Sequence, residues 1–324
     1  MDVFDQWLIK GGLLMKKVMV VGASGGMGYA LVMELISRGV EVVAFARGKE
    51  KLTRLFGGME TVEIKPGDAE NKDQLNHAAK GSDIIFHAMN LPYEEWKHKL
   101  STITGNIILA AEQNNARLAV VDNIYAYGRS GGEKLTEERE KHPHTRKGKL
   151  RLEMDQMIKQ SSVPALICHF PDFYGPNATN TYIHFTIEQM LTKKKAGFVG
   201  PRNVAKEFIY TKDGAKAMVE LACHEEAFGH NWNIPGIAPI TGNEVEQILK
   251  RQLGKDKGLY YISKSMFAVY AFFAGRGMRE ALEMQYINSE PTILSGEKMD
   301  GLLGTRQHTS YEQGIAETIA YMRM

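Results

Sequence analysis

Cysteine is almost absent: Cys168 and Cys223 are the only two in 324 residues. They show neither metal-ligand spacing nor a framework of pairs, which excludes a disulfide-built scaffold and makes a reducing cytoplasm the expected setting. Long apolar runs are missing as well. The longest, Met266 to Ala274, spans nine residues, about half of what a bilayer-spanning helix requires, so it is expected to be core or dimer surface and no membrane partner is expected. Charge of one sign is missing too: 40 Lys and Arg stand against 38 Asp and Glu. That balance argues against nucleic acid as the main partner, and the Lys193–Lys195 run is expected to be a solvated helix end. Met1 to Leu14 carries Asp2 and Asp5 before any apolar stretch, unlike a secretory signal. The strand pattern begins directly after Met15, and Lys10-Gly11-Gly12 is what a purine-rich ribosome-binding site would spell. Met15 is therefore expected to be the true start, and residues 1–14 an upstream artefact or disordered leader.

Glycine is plentiful, and its placement is informative. Val18 to Leu31 reads VMVVGASGGMGYAL: four β-favouring apolar residues, a turn, then the apolar spacing of a helix. Gly22, Gly25 and Gly28 fall in a G-x-x-G-x-x-G register, with Ser24, Gly26 and Met27 between them. Such a turn lets backbone N–H groups approach a ligand, and the helix N-terminus behind it carries partial positive charge. The expected occupant is a pyrophosphate, and so a dinucleotide.

The second strand, Val40 to Phe45, ends in Phe45-Ala46-Arg47 without a carboxylate to bind a ribose 2′-hydroxyl. Arg47 suits a 2′-phosphate instead, or is a solvated charge leading the next helix; on the first reading NADP is favoured over NAD. Further strands are expected at 61–65, 83–89, 117–122 and 165–170, with helices between them, notably 93–114. Alternation of this kind signals βαβ units and an α/β fold with a doubly wound parallel sheet. Asp68, after the third strand, is a candidate for the adenine amino group or a turn cap. The helix from Gly148 is expected to bury Leu150, Met154, Met157 and Ile158, with Lys149 and Glu153 beside that stripe. Beyond Pro171 the regularity loosens into a smaller second lobe closing over the carboxyl ends of the strands. The expected division is 15–170 with a returning segment near 205–222, and 171–204 with 223–324 as the substrate lobe. Tyr174, Tyr182, His184 and Trp232 are candidates to line a pocket there or to pack in the core, and Phe267, Tyr270, Phe272 and Phe273 to wall the pocket or pack against the lobe.

These residues together resemble the extended short-chain dehydrogenase/reductase superfamily of the NAD-dependent epimerase/dehydratase type. The likeness rests on GASGGMG, Gly67-Asp68, His87-Ala88-Met89-Asn90, Tyr127-Gly128, Tyr174-Gly175-Pro176, EFIYTKDGAKA at Glu207 to Ala217 and TSYEQGIAETIAYMR at the C-terminus. The resemblance implies a Rossmann sheet, a cofactor contact from His87, Ala88 and Met89, a small-molecule substrate, and a homodimer through the helices 93–114 and 148–160. It also implies a Ser or Thr after strand five and a Tyr-x-x-x-Lys at the next helix. Aligned on Lys149, the chain places Asn123 at the serine and Thr145 at the tyrosine, an atypical site. A threonine hydroxyl is too weak an acid to replace a lysine-assisted phenol, so Tyr125, His142 and His144 are candidate acids. The expectation is an NAD(P)-dependent oxidoreductase or epimerase; a non-catalytic redox sensor is the alternative.

Overall fold

The computed structural model describes residue 13 and residues 15–193, 195–254 and 258–324. The proposed leader, residues 1–14, therefore lies outside the described residues apart from Leu13, whose N–H donates to Cys223 O at 2.7 Å.

The first half alternates strand and helix as the sequence demands. β1 (Lys17–Val21), α1 (Gly26–Ser37), β2 (Glu41–Ala46), α2 (Lys49–Phe56) and β3 (Val62–Pro66) form one half of the sheet. α3 (Lys72–Ala78), β4 (Ile84–His87), α4 (Trp96–Gln113), β5 (Arg117–Asn123), α5 (Arg146–Gln160) and β6 (Ala165–Phe170) form the other. β7 (Asp172–Tyr174), α6 (Tyr182–Thr192), β8 (Ala196–Val199), β9 (Phe208–Tyr210), α7 (Thr211–Ala222) and β10 (Asn231–Asn233) follow. Seven parallel strands pair in the order β10-β6-β5-β4-β1-β2-β3, reversing direction of growth beside β1. All carboxyl ends therefore share one edge, where open α/β sheets bind ligands. β10 belongs to this sheet through β6, so the sheet draws on a stretch assigned in the sequence reading to the substrate lobe.

The central strands β1 and β4 are buried on both faces because each face is covered. α1 and α7 bury Leu31, Leu35, Met218 and Leu221 on one face with Val18, Val20 and Phe86. α3, α4 and α5 bury Leu75, Trp96, Ile103 and Met154 on the other with Val21, Ile85 and Val120. A fully buried side chain of this size contributes roughly 1.5–3 kcal/mol. Gly214 permits the approach of α7, since a Cβ there would stand 2.9 Å from Met27 Cε and 3.2 Å from the Phe170 ring.

The second lobe comprises α6, the parallel pair β8 and β11 (Leu259–Ile262), and α8 (Gly242–Leu253), which begins at a Thr241–Glu244 capping box. α9 (Lys264–Ala274), α10 (Arg276–Glu280), α11 (Tyr286–Ser289), α12 (Glu297–Leu303) and α13 (Tyr311–Met322) complete the chain. Of the two readings weighed for Trp232, core packing holds: on β10 it lies in the main core. The α9 aromatics divide. α9 does bury Phe267 and Ala271 against Val199, but Tyr270, Phe272 and Phe273 point into solvent.

Candidate active site

The glycine turn leads directly from β1 into α1. Gly22 and Ala23 donate N–H bonds to Phe45 O at 2.9 and 3.2 Å, and Gly25 N–H donates to Gly22 O at 2.9 Å. Gly22 has φ +86° and packs against the Met89 backbone, where a Cβ would come within 2.6 Å of Met89 Cα. Gly28 is equally constrained, because its Cβ would stand 2.1 Å from Gly22 O. Gly25 is different: it is exposed, and a Cβ would meet only Gly22 O at 3.3 Å. As N-cap of α1 it offers no side chain to the first-turn amides, and that turn holds no acid. An anion therefore has both the space and the uncompensated amides it requires, so these residues fit a pyrophosphate. Ser24 and Gly26 are half-buried beside it and Met27 is buried. The loop after β7 meets the same turn: Asn177 Nδ2 donates to Ser24 O and Gly25 O at 3.1 and 3.2 Å, and Ala178 packs on Gly26.

Arg47 follows β2 with its side chain in solvent. Asp68 caps its own turn, accepting from Glu70 N–H at 3.0 Å, and lines an open groove with Asn71, Gln74 and Asn106. Ala88 N–H continues the sheet to Val21 O at 2.9 Å. His87 is buried, and neither ring nitrogen has a partner among the described residues. Burial and the nearby Arg151 guanidinium push its pKa down to about 3, so the ring is neutral.

The start of α5 corrects the register expected from sequence. Thr145 is the N-cap, its Oγ1 accepting from Gly148 N–H at 3.0 Å. The inward face of the helix then carries Lys147, Arg151, Met154, Asp155 and Ile158; Lys147 is 2% exposed and Arg151 3%. Lys149 points into solvent, as does Glu153, while Leu150 and Met157 are only half-buried. An i, i+4 pair thus does face inward, two residues later than the Thr145–Lys149 pair that the alignment implies. Three charges recurring every four residues resemble a solvated face in sequence. The countercharges of Lys147 and Arg151 lie far along the chain.

Lys147 Nζ binds Glu280 of α10 and lies 3.4 Å from Glu283, which also accepts the Arg146 and Lys147 backbone N–H groups at 2.8 and 3.1 Å. Glu283 therefore supplies the acid that the first turn of α5 lacks. Arg151 lies 3.3 Å from Asp122, donates to Asn90 Oδ1 at 3.0 Å and stacks over the Trp96 ring at 4.2 Å. Burial raises the Asp122 pKa, opposed by Arg151 and Lys141. Lys141 in turn reaches Asp155 at 2.8 Å and His169 Nε2 at 3.1 Å.

Asn123 Oδ1 accepts from Tyr125 N–H at 3.0 Å, capping the short 3-10 turn after β5. The Tyr125 hydroxyl meets that of Tyr93 at 2.7 Å, and its ring stacks on Trp96. Burial, with Tyr93 beside it, raises the Tyr125 pKa well above the ordinary phenol value. Its proton is therefore held through the neutral range. Among the other candidate acids, His142 pairs with Glu140 in solvent and His144 packs edge-on to Tyr286. Tyr182, from α6, takes a hydrogen bond from Asn288 at 2.8 Å and gives its N–H to Asp172 at 3.1 Å. Burial lifts Asp172 to about 6. The structure thus gathers Asn123, Tyr125 and Thr145 near one another but leaves Lys149 outside. Lys147, Arg151, Asp122 and Glu280 were missed; the only signal in sequence was the four-residue spacing of Lys147, Arg151 and Asp155.

A family model described as NAD(P)H-binding matches residues 22–206. An uncharacterized Sinorhizobium fredii protein, y4nL, is 23% identical over 75% of this chain and 74% of its own length. A Shewanella oneidensis 2-alkyl-3-oxoalkanoate reductase is 38% identical over only 21% of this chain and 16% of its own. Among solved structures, UDP-glucuronic acid 4-epimerase from Bacillus cereus with NAD superposes with a TM-score of 0.77 at 17% identity, covering 95% of this chain and 98% of that one. dTDP-glucose 4,6-dehydratase from Bacillus anthracis with NAD matches with a TM-score of 0.77, again at 17% identity, covering 95% and 96%. With its glycine turn inside the matched region and its parallel sheet superposing on these enzymes, the chain belongs to the NAD(P)H-binding family and has the fold of the NAD-dependent epimerases and dehydratases.

Proposed function

We propose that this chain is a nicotinamide-dependent oxidoreductase or epimerase-like enzyme acting on a small carbonyl, hydroxyl or sugar-derived substrate. The observation that carries this reading is the cationic pair Lys147 and Arg151, one turn apart on the inward face of α5. It lies at the carboxyl edge of the sheet that also carries the uncapped N-terminus of α1. Gly22, Ser24, Gly25, Gly26, Met27 and Gly28 would hold the pyrophosphate, with Asp68 at the adenine and His87, Ala88 and Met89 along the strand edge. Arg47, with no acid at the end of β2, favours NADP over NAD. When bound, the nicotinamide supplies or accepts hydride. Lys147 lies two residues beyond Thr145, the position where the resemblance implies tyrosine, and its ammonium would donate a hydrogen bond to a substrate oxygen as negative charge develops there. Glu280 pairs with that ammonium, and Arg151 positions the edge through Asn90 and Asp122.

One observation favours a sensor instead. Asn123 Oδ1, Thr145 Oγ1, the Tyr125 hydroxyl and Lys147 Nζ all have partners within the protein. Fluorescence titration with NADH and NADPH, followed by turnover at the nicotinamide absorbance on carbonyl compounds and sugar nucleotides, separates the two. The enzyme reading expects turnover that Lys147→Met reduces by about 100-fold or more while Lys149→Ala leaves it unchanged. Tight cofactor binding with no turnover leaves the sensor. Equal affinity for both cofactors before and after Arg47→Asp would remove the NADP preference.

A further inference from the structure

The apolar run of α9 is used twice. Its inward face, Phe267 and Ala271, packs on Val199, Ile262, Met278 and Leu282. Its outward face carries a second apolar stripe at helical spacing, Met266, Val269, Tyr270 and Phe273, with Phe272 alongside. These side chains are 49%, 63%, 60%, 81% and 70% exposed. A contiguous patch of this size on a structured helix marks an interaction surface. Its surroundings define the partner. From Gly258 to Arg279 there is no Asp or Glu, while Lys264 precedes the stripe and Arg276 and Arg279 follow it. All three cations are exposed. Of the acids touching the neighbouring segment, Glu280 and Glu283 are spent on Arg146 and Lys147, and Glu94 sits against Gly277.

We propose that α9 is an in-plane docking helix for an anionic lipid bilayer surface. Aromatic and aliphatic side chains enter the boundary between headgroups and acyl chains, and the flanking cations meet lipid phosphates. The nine-residue run is too short to span a bilayer but long enough to lie in its surface. A second copy of the chain fits less well, because a two-fold contact through α9 would bring together the Lys264, Arg276 and Arg279 cations of both copies with no carboxylate in the segment to offset them.

Flotation of the full chain with phosphatidylcholine vesicles, with and without phosphatidylglycerol, tests this. The protein is expected to float with the phosphatidylglycerol vesicles and less so as salt is raised. Phe272→Glu/Phe273→Glu and Lys264→Glu/Arg276→Glu/Arg279→Glu are each expected to lower partitioning at least about tenfold. The exposure of these positions predicts unchanged melting by circular dichroism. Absence of the wild-type protein from anionic vesicles, or equal flotation of the variants, would overturn the proposal. So would sedimentation showing a dimer without vesicles that Phe272→Glu/Phe273→Glu disperses.

Discussion

Arg151→Met tests whether a buried ion pair organises the site. The Asp122 side chain is fully buried and that of Arg151 is 4% exposed, so neither charge is screened by water. Removing the guanidinium leaves Asp122 with the Asn123 N–H at 2.7 Å and the more distant field of Lys141. Breaking a buried pair costs about 3–5 kcal/mol, and because these two contacts persist we expect the lower end, about 3 kcal/mol, in urea unfolding at neutral pH. Asp122→Asn/Arg151→Met removes the stranded charge and is expected to recover to within about 1 kcal/mol of wild type. The pH dependence has a definite sign. Asp122 has a raised pKa in the folded chain, so the folded state binds its proton more tightly than the unfolded chain, whose Asp titrates near 3.9. Its contribution is present at low pH and is lost as pH climbs through the folded pKa. Without Arg151 that pKa rises further, so the deficit of the variant grows from acid towards neutral pH. A deficit below about 0.5 kcal/mol, the scale of a solvated pair, or one independent of pH, would show that the two groups are not an ionised pair.

Gly25 and Gly28 separate binding from folding. Gly25 is exposed and a Cβ there meets only Gly22 O, at 3.3 Å, so Gly25→Val is expected to cost no more than about 1 kcal/mol of stability while lowering NADPH affinity by at least about 100-fold, read by fluorescence titration. Gly28→Ala drives a Cβ onto Gly22 O and is expected to cost about 1–3 kcal/mol as well as binding, read by urea unfolding. Glu207 accepts the Leu294 N–H at 2.9 Å and burial lifts its pKa to about 7. Its stabilising contribution is therefore lost as pH rises from the ordinary carboxylate range through 7. Glu207→Gln is expected to flatten the stability profile across that window, and an unaltered profile would place the titration elsewhere.

Strand and helix boundaries and the parallel sheet were legible because they follow from local periodicity and from glycines whose φ and close contacts admit nothing larger. The register of α5 was not. Lys149 and Glu153 match the spacing expected of the site, but Thr145 bonds to Gly148 N–H as N-cap, and that sets the turn of the helix so that Lys147 and Arg151 face inward. Lys147 is 133 positions from Glu280, and no local pattern shows that pairing. α9 illustrates the same divide: its apolar content was plain, yet which stripe was covered depended on Val199 and Leu282 reaching one side only. The amino-acid sequence by itself determined the glycine turn, the alternation of elements and the sheet they build, since these rest on steric limits and hydrophobic period within a short stretch of chain. Only the tertiary structure decided which charges are buried and which apolar side chains are left in water, because the free energy of a buried charge depends on countercharges that folding brings from distant segments.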